Sequence, residues 1–290
     1  MSDVAVTLGI LGGSGLYELA GLDEVEEREV DTPFGPPSDA LLIGRLEGRR
    51  VVFLARHGRQ HRLLPGEINY RANIFAMKVL GVERILSASA VGSMRDEIRP
   101  RDVVLVDQFV DRTQCRPSTF FGDGVAAHVG LADPICPELR SIVLAAARHH
   151  VRQAHDRGTY VCIEGPAFST RAESELYRSW DVSVIGMTNL QEAKLCREAE
   201  ICYVTLALVT DYDCWHEEEQ DVSVSSVLEN LQANAGSAAE IVRQTARSLP
   251  EGRNACKCGE ALRHALISPR DAIPEPTRRR LGPILAKYLA

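Results

Sequence analysis

The segment VTDYDC places two carboxylates, Asp211 and Asp213, directly after the apolar run ICYVTLALVT. Along an extended chain, residues i and i+2 project to the same side, so the two acids are expected to face one ligand. Such a pair can bind a metal, or hold a proton and give it to a leaving group as a glycosidic bond breaks. The only other acids nearby, in HEEEQD, read as a solvated helix start, so metal is the weaker use. A turn carrying two exposed acids is the plain alternative. In ARHGRQH, Arg56 and His57 leave the run VVFLA together. A guanidinium fork with an imidazole donor beside it makes an anion clamp; the plain reading is a surface ion pair and a structural histidine. His57 and His61 are four apart, but no third ligand stands at a recognisable spacing.

Three further segments offer backbone amides and hydroxyls. GILGGSGL, Gly9 to Leu16, follows an opening strand and suits a phosphate loop with Ser14 as a hydroxyl donor, or a tight turn with no ligand. Asp31 lies at a distance that invites a dinucleotide reading. The spacing is not G-x-G-x-x-G, however, and LYELAGLDE is too short and glycine-broken for a crossover helix. SASAVGSMRDEI, from Ser87, ends a strand in small residues. In IEGPAFSTRAES a rigid turn precedes Phe168, a stacking platform or a core plug, and Ser169 or Thr170 can cap a helix starting near Arg171 with Glu173 close behind.

These segments need a scaffold that brings strand ends together. Eight short runs rich in Val, Ile and Leu recur, from VTLGIL to ICYVTLALVT, several of them apolar on both faces, as central strands must be. Helical patterns lie between them: NYRANIFAMKVLG with Gly81 as C-cap, CPELRSIVLAAARHH, TRAESELYRSW and NLQEAKLCREAE. Alternation predicts an α/β fold: one domain over 1–290 with a mostly parallel, mixed central sheet flanked by helices. In such sheets ligands bind beyond the carboxyl ends of the strands, where VTDYDC stands. DRTQCRPSTFFGDG is a long polar loop, of a length that is usually functional or disordered. After SLPEGRN, residues 250–290 are expected to form a helical appendage on the same domain, ending in the amphipathic TRRRLGPILAKYL.

The chain has 290 residues, 45% of them apolar, and a net charge of −7. An acidic chain gains nothing from a phosphate backbone, and TRRR is too short to offer a local exception, so no nucleic-acid partner is expected. No apolar stretch reaches the length of a membrane span, and the N-terminus lacks signal-peptide features; a cytoplasmic protein with no membrane partner is expected. Eight cysteines are scattered through the chain. Most read as plain thiols; Cys256 and Cys258, in CKC, could close a strained disulfide, and zinc would lack its other two ligands there.

GILGGSGLY, DTPFGPPSDALLIG, LARHGRQH, NYRANIFAMK, GSMRDEIRPRDVVLVDQFVDRT, IEGPAFSTRAES and TDYDCWHE stand in the order found in 5'-methylthioadenosine phosphorylases of the purine nucleoside phosphorylase family, which the chain resembles from about residue 7 to about 235. CKC and the tail look like the ends of archaeal and some bacterial members. The resemblance implies phosphorolysis of 5'-methylthioadenosine to adenine and 5-methylthioribose 1-phosphate, in purine and methionine salvage. It implies no metal or organic cofactor, inorganic phosphate being a co-substrate. Carried over, the phosphate site falls on Ser14, Arg56, His57, Ser89, Ala90 and Thr188. Met187 falls beside the ribose, Phe168 and Ser169 beside the base, and Asp211 and Asp213, with Tyr212 between them, on the purine. Val224 and Val227 fall near the methylthio group, joined by a neighbouring subunit's His128, since relatives of this kind form trimers or dimers of trimers. Asp211 and His57 would be the catalytic members.

Relatives that cleave 6-oxopurines place Asn where Asp211 stands and Glu where Ser169 stands. Asn donates to O6 and Glu takes N1–H, so this chain has the 6-amino pattern. It departs from its relatives at GMTNLQEA, where Gly186 and Gln191 replace Asn and Pro. Gly186 removes a side chain beside the ribose and Gln191 is expected to loosen the following turn, which leaves 5'-methylthioinosine or 6-oxopurine nucleosides as alternative substrates. A non-catalytic nucleoside-binding protein on the same scaffold, and a nicotinamide-dependent oxidoreductase resting on the glycine loop and Asp31, are the readings from other classes.

Overall fold

A computed structural model describes residues 8–13, 16, 21–216, 224–253 and 256–289, with the side chains of 224–228 left out. Its centre is β5 (Arg84–Ser93), ten residues long and buried along almost its whole length. The parallel strands β1 (Leu8–Gly12) and β11 (Cys202–Asp211) flank it, and β4 (Arg49–Ala55) lies parallel to β1 on the far side. These four strands are hydrophobic on both faces because helices cover both. Register puts Gly12 beside Ala55, Leu11 and Thr205 beside Ser87, and Asp211 beside Gly92, so the carboxyl ends of all four open at one edge.

The sheet has eleven strands among the described residues. β2 (Asp23–Arg28) and β3 (Leu41–Leu46) extend it antiparallel beyond β4. At the carboxyl end of β5, β10 (Val184–Gly186) runs antiparallel to it, followed by parallel β9 (Thr159–Ile163) and β7 (Gln108–Arg112). The predicted run DVVLVDQFV is two strands: β6 (Val103–Leu105) pairs with β11 and with β8 (Ala154–His155), whereas β7 joins β9. β2 carries no apolar alternation and is exposed along its length, which is why the sequence does not announce it.

α1 (Tyr70–Val79) packs on α4 (Asn189–Glu198), and α2 (Pro137–His150) on α5 (Val224–Ser248). Gly81, at φ +80, turns the chain after α1. α3 (Arg171–Ser179) opens on a full capping box, in which the Thr170 hydroxyl accepts from the Glu173 N–H and Glu173 reaches back. The closing segment forms α6 (Glu275–Arg280) and α7 (Gly282–Leu289), and Leu281, Ile284 and Leu285 enter the same apolar cluster as the central strands. HEEEQD lies largely outside the described residues. No helix among those described is long and apolar enough to cross a membrane. Cys256 and Cys258 do not pair: all eight thiols are free. Two thiols that sequence spacing does not reveal stand beside them in space, since Cys136 and Cys202 join the CKC pair.

Candidate active site

At the carboxyl edge of the central strands lies a cavity of about 440 Å³. Arg56, His57, Ser89, Ala90, Phe168, Ser169, Met187, Thr188, Asp211 and Asp213 all line it. Ten predicted residues, scattered over 158 positions of sequence, thus share one concave surface.

The cationic end grows out of β4. Arg56 is 1% exposed, and its charge is met by Glu192 of α4, which takes hydrogen bonds from Nε and Nη2. Nη2 also donates to Ser87 Oγ, and Nη1 donates to the Ala88 carbonyl at 3.0 Å. Glu192 in turn accepts from the Ser87 and Tyr203 hydroxyls, both at 2.7 Å. Four of the five guanidinium N–H groups are thereby committed, leaving one Nη1 hydrogen beside the cavity among the described residues. Gly13 makes this packing possible, since a Cβ there would stand 2.7 Å from Arg56 Nη1 and 2.6 Å from the Ala88 carbonyl. The surface ion pair of the plain reading is in fact a buried one.

His57 differs from expectation. Its Nδ1 lies 2.9 Å from the Leu63 carbonyl, an acceptor only, so Nδ1 carries the proton and donates it there. Burial, and then the Arg56 charge, push its pKa down to about 3. The ring is neutral at pH 7, and its remaining nitrogen, Nε2, accepts where the sequence reading had it donate. His61 stacks on it with ring centroids 4.2 Å apart. Opposite, Ser89 Oγ and Thr188 Oγ1 lie 3.5 Å apart.

The acidic end is made by a turn, not by the pleat of a strand. β11 stops at Asp211, and Asp213 has φ +54. The Asp213 N–H donates to Asp211 Oδ1 at 2.8 Å, an Asx turn that ties one acid to the other. Thr210 Oγ1 donates to Asp211 Oδ2 at 2.7 Å. Asp213 Oδ2 accepts from Ser174 Oγ of α3, and burial raises the carboxyl's pKa despite that bond. The Trp215 indole N–H donates to the Ser93 carbonyl at 2.8 Å and anchors the turn on β5. Phe168 is half exposed, so it is no core plug. The Ser169 hydroxyl is buried without a hydrogen-bond partner among the described residues.

Other predicted residues lie elsewhere. Tyr212 is not in the cavity wall; its ring is buried away from the cavity and stacks on His216 at 4.6 Å. His128 is exposed and lines a second concavity with Lys194 and Glu198. Ser14 lies outside the described residues, as do the side chains of Val224 and Val227 in the first turn of α5. Gly186 does not leave a hole, because a Cβ there would stand 2.1 Å from the Tyr160 hydroxyl, which occupies the space. Nor does Gln191 loosen the turn: it is fully buried in α4 and donates to Thr113 Oγ1 at 2.8 Å.

Two residues that the sequence reading passed over hold the wall together. Glu192 reads as one more polar residue of an amphipathic helix, and nothing local marks its burial. Arg116, in the long polar loop, donates to the carbonyls of Met187 and Glu164 and to the Glu164 carboxylate at 3.1 Å. It binds the Phe168 loop to the Met187 strand end. The described part of that loop is a brace for the site.

Residues 7–247 match the family described as the phosphorylase superfamily. A Gloeobacter violaceus protein named S-methyl-5'-thioadenosine phosphorylase is 56% identical, the match covering 100% of this chain and 98% of that one. The crystal structure of a methylthioadenosine phosphorylase from an Antarctic soil metagenomic library superimposes with a TM-score of 0.92 at 48% identity, covering 97% of this chain and 99% of the other. Methylthioadenosine phosphorylase from Schistosoma mansoni, solved in complex with adenine, gives 0.84 at 36% identity over 89% of this chain and 96% of the other. On sequence and on structure alike, the chain belongs to the phosphorylase superfamily.

Proposed function

We propose that this protein catalyses the phosphorolysis of 5'-methylthioadenosine, giving adenine and 5-methylthioribose 1-phosphate. The observation that carries the reading is that an anion-type cluster and an acid pair line one and the same cavity. Phosphate sits among the last Arg56 N–H, the Ser89 and Thr188 hydroxyls and the Ala90 backbone, and Ser14 is assigned to it as a further hydroxyl donor. The neutral His57 ring accepts from a protonated phosphate oxygen through Nε2. Attack on the anomeric carbon breaks its bond to N9; the electron pair stays on the base, and N7 takes a proton. The acid pair is assigned to supply it: Asp211, in its protonated form, gives the proton to N7, and Asp213 accepts from the 6-amino group.

Met187 lies against the ribose, and Phe168 and Ser169 against the base. Val224 and Val227 are assigned to the methylthio group together with His128 of a neighbouring copy, the working form then being a trimer or a dimer of trimers. Its exposure suits His128 to that role. No resident metal or organic cofactor takes part. Purified protein incubated with methylthioadenosine and phosphate is expected to release adenine and the sugar phosphate. Adenine release that does not depend on phosphate, or none with it, overturns the reading.

A further inference from the structure

The four cysteines Cys136, Cys202, Cys256 and Cys258 come from three distant parts of the chain, yet all their sulfur atoms lie within 4.8 Å of one another. Cys136 is the N-cap of α2, Cys202 is the first residue of β11, and the other two lie near the start of the closing segment. Three are buried and Cys256 is half-buried. Zinc held by four thiolates at ~2.3 Å sets its sulfurs roughly 3.8 Å apart. Cys202 and Cys256 stand at 3.4 Å, and the 4.8 Å limit on every other pair brackets the rest. A disulfide needs ~2.05 Å, so the cluster is spaced for a shared ion more nearly than for two covalent bonds.

We propose that this cluster is a closed, four-thiolate site for a zinc-class divalent cation, and that its role is structural. Binding forms four metal–sulfur bonds, and the thiol protons leave to solvent. Four protein ligands leave no open coordination position for a substrate or water. Cys202 and Asp211 are the two ends of the ten-residue β11, which puts the cluster roughly 30 Å from the acid pair. The site would instead fasten the closing segment to the base of the central sheet. Glu200 fastens the same segment beside it: its carboxylate accepts from the Leu262 N–H at 3.0 Å, from the Tyr288 hydroxyl and from Lys287 Nζ.

The test uses the full-length protein, reduced with a phosphine and stripped with a chelator. Titration with cobalt(II) should give one equivalent bound, with the sulfur-to-metal charge-transfer and ligand-field bands of a tetrahedral thiolate site, and zinc should displace it. Zinc loading should raise the melting temperature by about 10 °C. The turnover of whatever substrate the enzyme accepts should be unchanged. A Cys256→Ser, Cys258→Ser double variant should lose both spectrum and shift, and Cys115→Ser, at an exposed cysteine outside the cluster, should keep them. Absence of cobalt binding by the reduced wild type overturns the proposal without recourse to any variant. So does mass spectrometry of protein purified without reductant that finds these four residues joined as disulfides.

Discussion

The two ends of the cavity are built on different principles. The cationic end is a closed network: Arg56, Glu192, Ser87, Asn189 and Tyr203 come from the residue after β4 and from α4, β5 and β11, and each is bonded to at least one of the others. Nothing in it can move alone. The acidic end is one turn at the end of β11, held by Ser174, Trp215 and its own Asx bond, and continuous with the stretch of chain leading to α5. The difference matches the jobs proposed. Phosphate is the same in every turnover and suits a fixed cradle, whereas a base of one type must be told from another by a few donors and acceptors placed on a short segment.

If that contrast is right, damage to the cationic end should cost stability, and damage to the acidic end should cost turnover. Glu192→Gln is expected to have the largest effect. It leaves the buried Arg56 charge without its counter-charge, and breaking such a pair costs about 3–5 kcal/mol. The urea midpoint should fall at unchanged slope, and the KM for phosphate should rise. A variant as stable as the wild type would show that the guanidinium charge is balanced elsewhere, and the contrast would fail at its strongest point.

Asp211→Asn tests the other side. It is expected to lower kcat/KM for methylthioadenosine by about 10²- to 10⁴-fold and to improve cleavage of 6-oxopurine nucleosides, since an amide donates to O6. The urea midpoint should barely move. Unchanged kinetics with methylthioadenosine would show that Asp211 does not meet the base.

The pH dependence of stability sharpens the comparison further. His57 is held at about 3 in the folded protein against an ordinary 6.5, so between those values the unfolded chain binds a proton that the native one refuses. Stability contributed this way is complete above pH 6.5 and is lost as pH falls towards 3. Each pH unit is worth about 1.4 kcal/mol. Lowering the pH from 7 to 5 should therefore cost the wild type about 2 kcal/mol more than a His57→Asn variant, measured by urea unfolding at each pH. Equal losses would place the ring in a far more solvated setting.

The contrast also marks how far the sequence could be read. Strand runs such as ICYVTLALVT announce themselves, because a strand covered on both faces has to be apolar throughout, and the sites at their ends follow from the parallel order. The resemblance brought ten residues of the wall into view for the same reason: each lies within a short distinctive block. What could not be read was whatever depends on a distant partner. Glu192 looks solvated until Arg56 is found against it, His57 looks like a donor until Leu63 takes its proton, and CKC looks short of ligands until Cys136 and Cys202 arrive. Gly186 looked like a missing side chain only because Tyr160, 26 positions earlier, was not yet in place.

The smallest effect expected is also the cleanest discriminator between packing and recognition. Neighbouring residues at the Phe168 turn divide the two roles: Thr170 caps α3, while the Ser169 hydroxyl is buried against the cavity with no hydrogen-bond partner among the described residues. Thr170→Ala removes a capping box and should cost about 1 kcal/mol with little change in KM. Ser169→Ala removes a hydroxyl that has no hydrogen bond among the described residues, so the urea midpoint should stay level or rise slightly. If the hydroxyl waits for the base, the same variant should raise the KM for methylthioadenosine several-fold, since a net hydrogen bond is worth about 1 kcal/mol. A loss of stability with KM unchanged would reverse the assignment, making Ser169 a packing residue and removing it from the base side of the cavity.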